Sequence, residues 1–188
     1  MAGIGVLFAD TRKRLGNPVT KNNIVLIGMP GAGKSTLGVV LAKILGYDFL
    51  DADLLIQKLE GRTLQRIIEL EGTDGFLSVE NRVLSNIDCK NTVISTGGSA
   101  VYSDEAMRHL AEIGDVVFIK LPHDELEERL GDLDERGVVL KDGIGHSVQK
   151  LFEERAPLYD RYAEVTVDVS GLTIQQAVDA LVAAVGER

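Results

Sequence analysis

Between Gly28 and Ser35 the chain reads Gly-Met-Pro-Gly-Ala-Gly-Lys-Ser, a full match to the phosphate-binding pattern G-x-x-x-x-G-K-[ST]. Glycines let such a loop fold its backbone N–H groups around phosphate oxygens, and a helix starting there adds the positive end of its dipole. Gly28, Gly31, Ala32, Gly33, Lys34, Ser35 and Thr36 are therefore expected to hold ATP. Lys34 would reach the β- and γ-phosphates, and Ser35 would ligate Mg²⁺. An ordinary glycine turn would share the letters but not the setting, because an apolar run precedes this motif and a helical pattern follows it.

Asp51-Ala52-Asp53 supplies two carboxylates just after a second short apolar run. In an open α/β sheet that position lies at the carboxyl edge, where ligands bind. One carboxylate would help hold Mg²⁺ and the other would take the proton of an attacking hydroxyl. Taken alone, this pair is usually a helix cap, with Asp53 as the capping residue. Beside a complete phosphate loop the chemical assignment prevails. Thr96-Gly97-Gly98-Ser99 ends a third apolar run, and its missing side chains would let a substrate approach backbone N–H groups. Arg129, Arg136 and Arg155 follow, and arginines that close over a nucleotide can stabilise charge on a transferred phosphoryl group. His109, His123 and His146 have no metal-ligand spacing, and the single Cys89 cannot build a zinc site, so no metal beyond Mg²⁺ is expected.

These residues need a scaffold, and the apolar patterning supplies one. Asn23–Gly28 is a continuous apolar run of the kind found in a strand buried on both faces, and Ser35–Leu45 has helical periodicity. Further strands are predicted at Tyr47–Leu50, Thr92–Ser95, Val116–Leu121 and Glu164–Val169. Helical patterns fall at Asp53–Glu60, Leu64–Leu70, Phe76–Ile87, Asp104–Ile113, Glu125–Leu130, Ser147–Tyr162 and Ile174–Val185. The last opens with Thr173-Ile-Gln-Gln176, a capping box. Such alternation predicts a parallel sheet covered by helices on both faces. Gly131–His146 breaks the periodicity with glycines and charges and is expected to be a mobile lid.

Composition narrows the function. The chain has 188 residues, 45% hydrophobic, enough for one domain with a substantial core. A formal charge of −9 argues against nucleic acid and anionic membranes as partners. One cysteine and the lack of a long apolar run point to a reduced, cytoplasmic setting. Residues 1–22 are apolar at first, with Arg12, Lys13 and Arg14 after the apolar part, the reverse of a secretory signal. They are taken as an N-terminal extension, and residues 23–188 as the kinase domain.

The ordered set resembles the shikimate kinase family over about residues 22–186. The resemblance rests on Gly28–Thr36, Phe49-Leu-Asp-Ala-Asp53, Glu71-Gly-Thr-Asp-Gly-Phe76 with Glu80, Ser95-Thr-Gly-Gly98, Arg129 with Arg136, and Arg155-Ala-Pro-Leu-Tyr159. It implies a P-loop three-layer α/β/α fold with a five-stranded parallel sheet, a helical acceptor segment after Asp53, and a lid over ATP. It further implies that Asp51 acts near Mg²⁺, Asp53 binds the acceptor hydroxyl and serves as base, Arg129 packs on adenine, Arg136 reaches in from the lid, and Arg155 grips an acceptor carboxylate. Lys34, Asp53 and Arg136 would then stand closest to the transfer, in an enzyme of amino-acid biosynthesis expected to be a monomer.

The chain departs from the family pattern at three places. Leu77 stands where the family has a second arginine for the substrate carboxylate, Ser99 where it has a third glycine, and Gly137 where a proline follows the lid arginine. Leu77, Glu80, Gly97, Gly98, Arg155 and Asp53 are thus the expected acceptor residues, with shikimate as acceptor by resemblance. The alternative acceptor is a hydroxy amino acid such as homoserine, its carboxylate on Arg155 and its ammonium near Glu80. A nucleotide-binding module without turnover is the further alternative.

Overall fold

The first apolar run forms strand β1 (Asn23–Ile27), all five residues of which are buried. β1 is the central strand of the computed structural model, which describes residues 21–130 and 148–186. After it come α1 (Lys34–Leu45), β2 (Asp48–Asp51), α2 (Ala52–Glu60), α3 (Leu64–Leu84) and β3 (Thr92–Ser95). A short 3₁₀ turn at Ala100–Tyr102 leads to α4 (Asp104–Ile113), β4 (Gly114–Lys120), α5 (His123–Leu130), α6 (Val148–Tyr162), β5 (Val165–Asp168) and α7 (Ile174–Gly186). The expected lid at 131–146, with Arg136, and the extension up to residue 20 lie outside the described residues.

The sheet is fully parallel in the order β2-β3-β1-β4-β5. Burial follows position in it. β1 and β3 are buried throughout, as strands covered on both faces must be, whereas the edge strands β2 and β5 mix buried and exposed residues. α1 and α7 pack against each other beside the sheet, and α3, α4 and α6 gather around the 3₁₀ turn. From β1 the chain goes to the edge strand β2, returns to β3 beside β1 and then crosses to β4 and β5 on the other side, so the parallel strands β1, β2 and β3 place their carboxyl ends on one edge, where strand order reverses. Ligands bind at that crevice in such sheets.

Local physics explains where the elements differ from the patterns. The predicted helices Leu64–Leu70 and Phe76–Ile87 form one kinked run, with Gly72 at φ 72° and ψ −179° between its two arms. β4 begins at Gly114 instead of Val116 because its ladder with β1 starts at the pair Asn23 and Gly114. Asn23 is itself buried there. Its amide donates to the carbonyls of Cys89 (3.0 Å) and Ile113 (2.9 Å) and accepts from the Thr92 N–H (3.1 Å), tying three strand starts together. The Thr173–Gln176 capping box forms as expected, with reciprocal bonds of 3.3 Å and 3.0 Å.

Candidate active site

The phosphate loop joins β1 to α1 at the carboxyl edge of the sheet. Its first glycine, Gly28, has φ 147°, and a Cβ there would stand 2.6 Å from the Ile119 carbonyl oxygen on β4. Only glycine satisfies both demands. Gly33, at φ 93°, turns the chain into α1, whose first residue is Lys34. The Lys34 ammonium is buried under the loop and donates to the carbonyls of Gly28 (2.7 Å) and Met29 (2.9 Å). Burial lowers its pKa to about 8, against the raising effect of Asp53 and Asp51, so the site favours an anion that would restore the charge. Gly31, Ala32, Ser35 and Thr36 complete the loop and the first turn of α1 around it.

Ser35 and Asp51 meet although sixteen residues separate them. Ser35 Oγ donates to Asp51 Oδ2 at 2.7 Å and lies 3.1 Å from Ser95 Oγ on β3. The other Asp51 oxygen accepts from the N–H groups of Asp53 (3.0 Å) and Leu54 (3.2 Å). The capping residue of α2 is therefore Asp51, not Asp53. Asp51 still has the extended backbone of β2, φ −94° and ψ 117°, which lets its side chain reach the first free amides, while Asp53 is already helical. A Mg²⁺ ion held mainly by water and substrate phosphates needs one or two hard protein oxygens, and Ser35 and Asp51 offer that donor set.

Asp53 is relieved of capping, and its carboxyl lies beside Gly97. Its carboxyl is pushed above the usual range by burial and by the Asp51 charge, with Lys34 opposing. Gly97 and Gly98, just beyond β3, leave room beside it. A Cβ at Gly97 would fall 2.6 Å from Glu80 Oε1 and 2.9 Å from Asp53 Oδ1. At Gly98 it would fall 2.7 Å from Pro30 of the phosphate loop and 3.1 Å from Arg155 Nη1. Two residues without side chains thus let the loop, both carboxyls and the arginine approach one stretch of backbone closely.

Arg155 and Tyr159 lie one turn apart on α6 and share its buried face. Arg155 Nε donates to the Tyr102 hydroxyl (3.0 Å), with the guanidinium 5.0 Å from that ring's centre. Tyr159 stacks on Phe118 and donates to the Gly98 carbonyl at 2.7 Å. Glu80, on α3, is only 2% exposed. Burial pushes its pKa to about 7, countered by a hydrogen bond with Ser99. Its Oε1 has no hydrogen-bond partner among the described residues. Leu77 is half-buried against the core, and Arg82 turns away from this space to pair with Glu60 at 2.5 Å.

Arg129 stands apart, exposed in the last turn of α5 with Glu125 3.4 Å away. Sequence reasoning left Ser95, Tyr102 and Tyr159 without roles. Of these, Ser95 and Tyr159 sat inside quoted motifs and Tyr102 did not. Ser99 entered only as a departure, although it is buried and lowers the Glu80 pKa against the effect of burial.

The family model for shikimate kinase matches residues 30–186. A shikimate kinase of Francisella tularensis subsp. holarctica is 36% identical over 163 residues, covering 86% of this chain and 93% of the relative. The structure of shikimate kinase from Acinetobacter baumannii in complex with shikimate superposes with a TM-score of 0.78 at 31% identity, covering 90% of this chain and 96% of that one. Shikimate kinase from Aquifex aeolicus gives a TM-score of 0.74 at 34% identity, over 87% and 96% of the two chains. The chain belongs to the shikimate kinase family and is an ATP-dependent phosphotransferase that acts on a hydroxyl group.

Proposed function

We propose that this enzyme transfers the γ-phosphoryl group of ATP to a hydroxyl of shikimate. The observation that carries the reading is the convergence of Asp53, Arg155 and Pro30 of the phosphate loop on Gly97 and Gly98. An acceptor seated there spans from the reacting phosphate to a buried guanidinium, which suits a small molecule with a hydroxyl at one end and a carboxylate at the other. The relative solved with shikimate bound supports that acceptor.

Each group has a role in this reading. The loop amides and Lys34 bind the triphosphate, and Lys34 offsets charge on the transferred group. Arg155, held by Tyr102, orients the acceptor through its carboxylate. Asp53, whose pKa is raised by burial, accepts the hydroxyl proton as the oxygen attacks phosphorus. Ser35 and Asp51 would hold Mg²⁺, which neutralises charge on the β- and γ-oxygens when bound. Arg136 is assigned to the lid side of the transfer, and Arg129 to the adenine.

The test is ADP release with shikimate as the sole acceptor, with the product identified by mass. Release that depends on shikimate, at a kcat/KM of ~10⁴ M⁻¹s⁻¹ or more, is expected. ADP release that ignores shikimate, with no phosphorylated product, would overturn the reading.

A further inference from the structure

The acceptor space contains more negative groups than a carboxylate-bearing acceptor uses. Asp53 Oδ1 and Glu80 Oε1 face the same side of Gly97, while Arg155 Nη1 faces Gly98 next to it. Asp53 has the hydroxyl to serve. Glu80 Oε1 is buried and unpartnered among the described residues, and a buried polar atom in that condition is costly unless a ligand satisfies it. Glu80 Oε1 is the atom directed at Gly97, 2.6 Å from where a Cβ would stand there. Leu77, one turn earlier on α3, adds half-buried apolar surface and no positive charge.

A cationic group on the acceptor meets these conditions. An ammonium has three donors and makes charge-assisted bonds of about 2.7–2.9 Å to carboxylate oxygens. We propose that the pocket has a subsite for an ammonium at Glu80 Oε1, so that a small hydroxylated α-amino acid is a second acceptor. Its carboxylate lies on Arg155, its ammonium on Glu80, its carbon chain along Leu77 and its hydroxyl on Asp53. The step is the same transfer: the amino acid's hydroxyl oxygen bonds to the γ-phosphorus of ATP, the bond to the β–γ bridging oxygen breaks, the proton passes to Asp53, and ADP leaves. The proposal rests on the kinase centre assigned above, but not on shikimate being its acceptor.

The experiment compares acceptors that differ only in the ammonium. ADP release is measured with L-homoserine against 4-hydroxybutyrate and with L-threonine against 3-hydroxybutyrate, with shikimate in parallel. At least one amino acid should be phosphorylated, with kcat/KM tenfold or more above its deaminated partner. In Glu80→Gln that ratio should fall to within about threefold of unity, as the neutral amide keeps the shape and loses the charge. The wild-type ratio needs no variant, so a misfolded Glu80→Gln protein would still leave the proposal exposed. Shikimate turnover with no amino acid turnover would overturn this inference and leave the proposed function standing. Turnover of an amino acid without shikimate turnover would do the reverse. Equal rates with and without the ammonium, a ratio untouched by Glu80→Gln, or no turnover of any acceptor would also overturn the inference.

Discussion

The two halves of the active site solve their electrostatics differently. On the nucleotide side the polar atoms are matched: Lys34 has two carbonyls, Ser35 has Asp51 and Ser95, and Asp51 caps α2. On the acceptor side Glu80 is buried with one oxygen unpartnered among the described residues, and Asp53 carries a raised pKa. A loop built from backbone groups serves any ATP-dependent reaction and can satisfy itself at rest. Buried carboxyls are costly to keep, so those that persist report on the chemistry the site serves.

The largest effect should come from the matched side. Lys34→Ala removes the cation that the proposed function assigns to the transferred group and should lower kcat by about 10³–10⁵ for every acceptor, the range for losing one such charge. Uniform loss across acceptors is the distinguishing sign, since the nucleotide side is common to all. Steady-state ADP release with shikimate checks it, and near-normal turnover would show that this loop does not act on the phosphates. Asp53→Asn comes next, with an expected fall of about 10²–10⁴ in transfer and little change in ATP affinity. Calorimetric titration with ATP separates the two effects. Weakened ATP binding with an unchanged kcat would move Asp53 from the acceptor to the nucleotide side.

How much of this contrast could be read from the sequence follows from how local each feature is. The phosphate loop was legible in full, because its geometry is set by eight consecutive residues and the strand and helix around them. The parallel sheet followed from the alternation of apolar patterns. By contrast, the interaction of Tyr159 with Gly98 spans 61 residues, and that of Arg155 with Tyr102 spans 53, so no spacing rule reveals them. Which carboxylate caps α2 was misjudged because the strand continues to Asp51, one residue beyond the predicted end. Glu80 was placed near the acceptor, but its burial depends on how the kinked α3 lies against Gly97 and Ser99.

The cost of the unmatched side should appear as a pH dependence of stability. Burial raises the Glu80 pKa from 4.5 to about 7. Between those values the folded state keeps a proton that the unfolded chain has released, so stability falls as pH rises through the window. The full loss is about 3 kcal/mol, a few hundredfold in the folding equilibrium. Glu80→Gln carries no such proton. Denaturant unfolding at pH 5, 6, 7 and 8 should therefore show the wild type losing its advantage over the variant as pH rises. Parallel pH profiles for the two proteins would mean that Glu80 is solvated in solution.

The smallest effect, and the one that bears most closely on acceptor choice, is expected from Leu77→Arg. Leu77 and Glu80 are three residues apart on α3, so an arginine at 77 shares a helix face with the unpartnered carboxyl oxygen. A guanidinium there can pair with Glu80 and also add a second positive group for an acceptor carboxylate beside Arg155. It would at the same time occupy the charge that an ammonium needs. Shikimate should gain about tenfold in kcat/KM and homoserine lose about tenfold, each near 1.4 kcal/mol. The gain is held down by the side-chain entropy of a long residue and by lost apolar contact at a half-buried position. Opposite movement of the two acceptors is what separates a change of charge preference from general damage to the pocket. If both acceptors weaken together, Leu77 is a packing residue, and the difference between the two halves of the site ends at Glu80 without reaching the choice of acceptor.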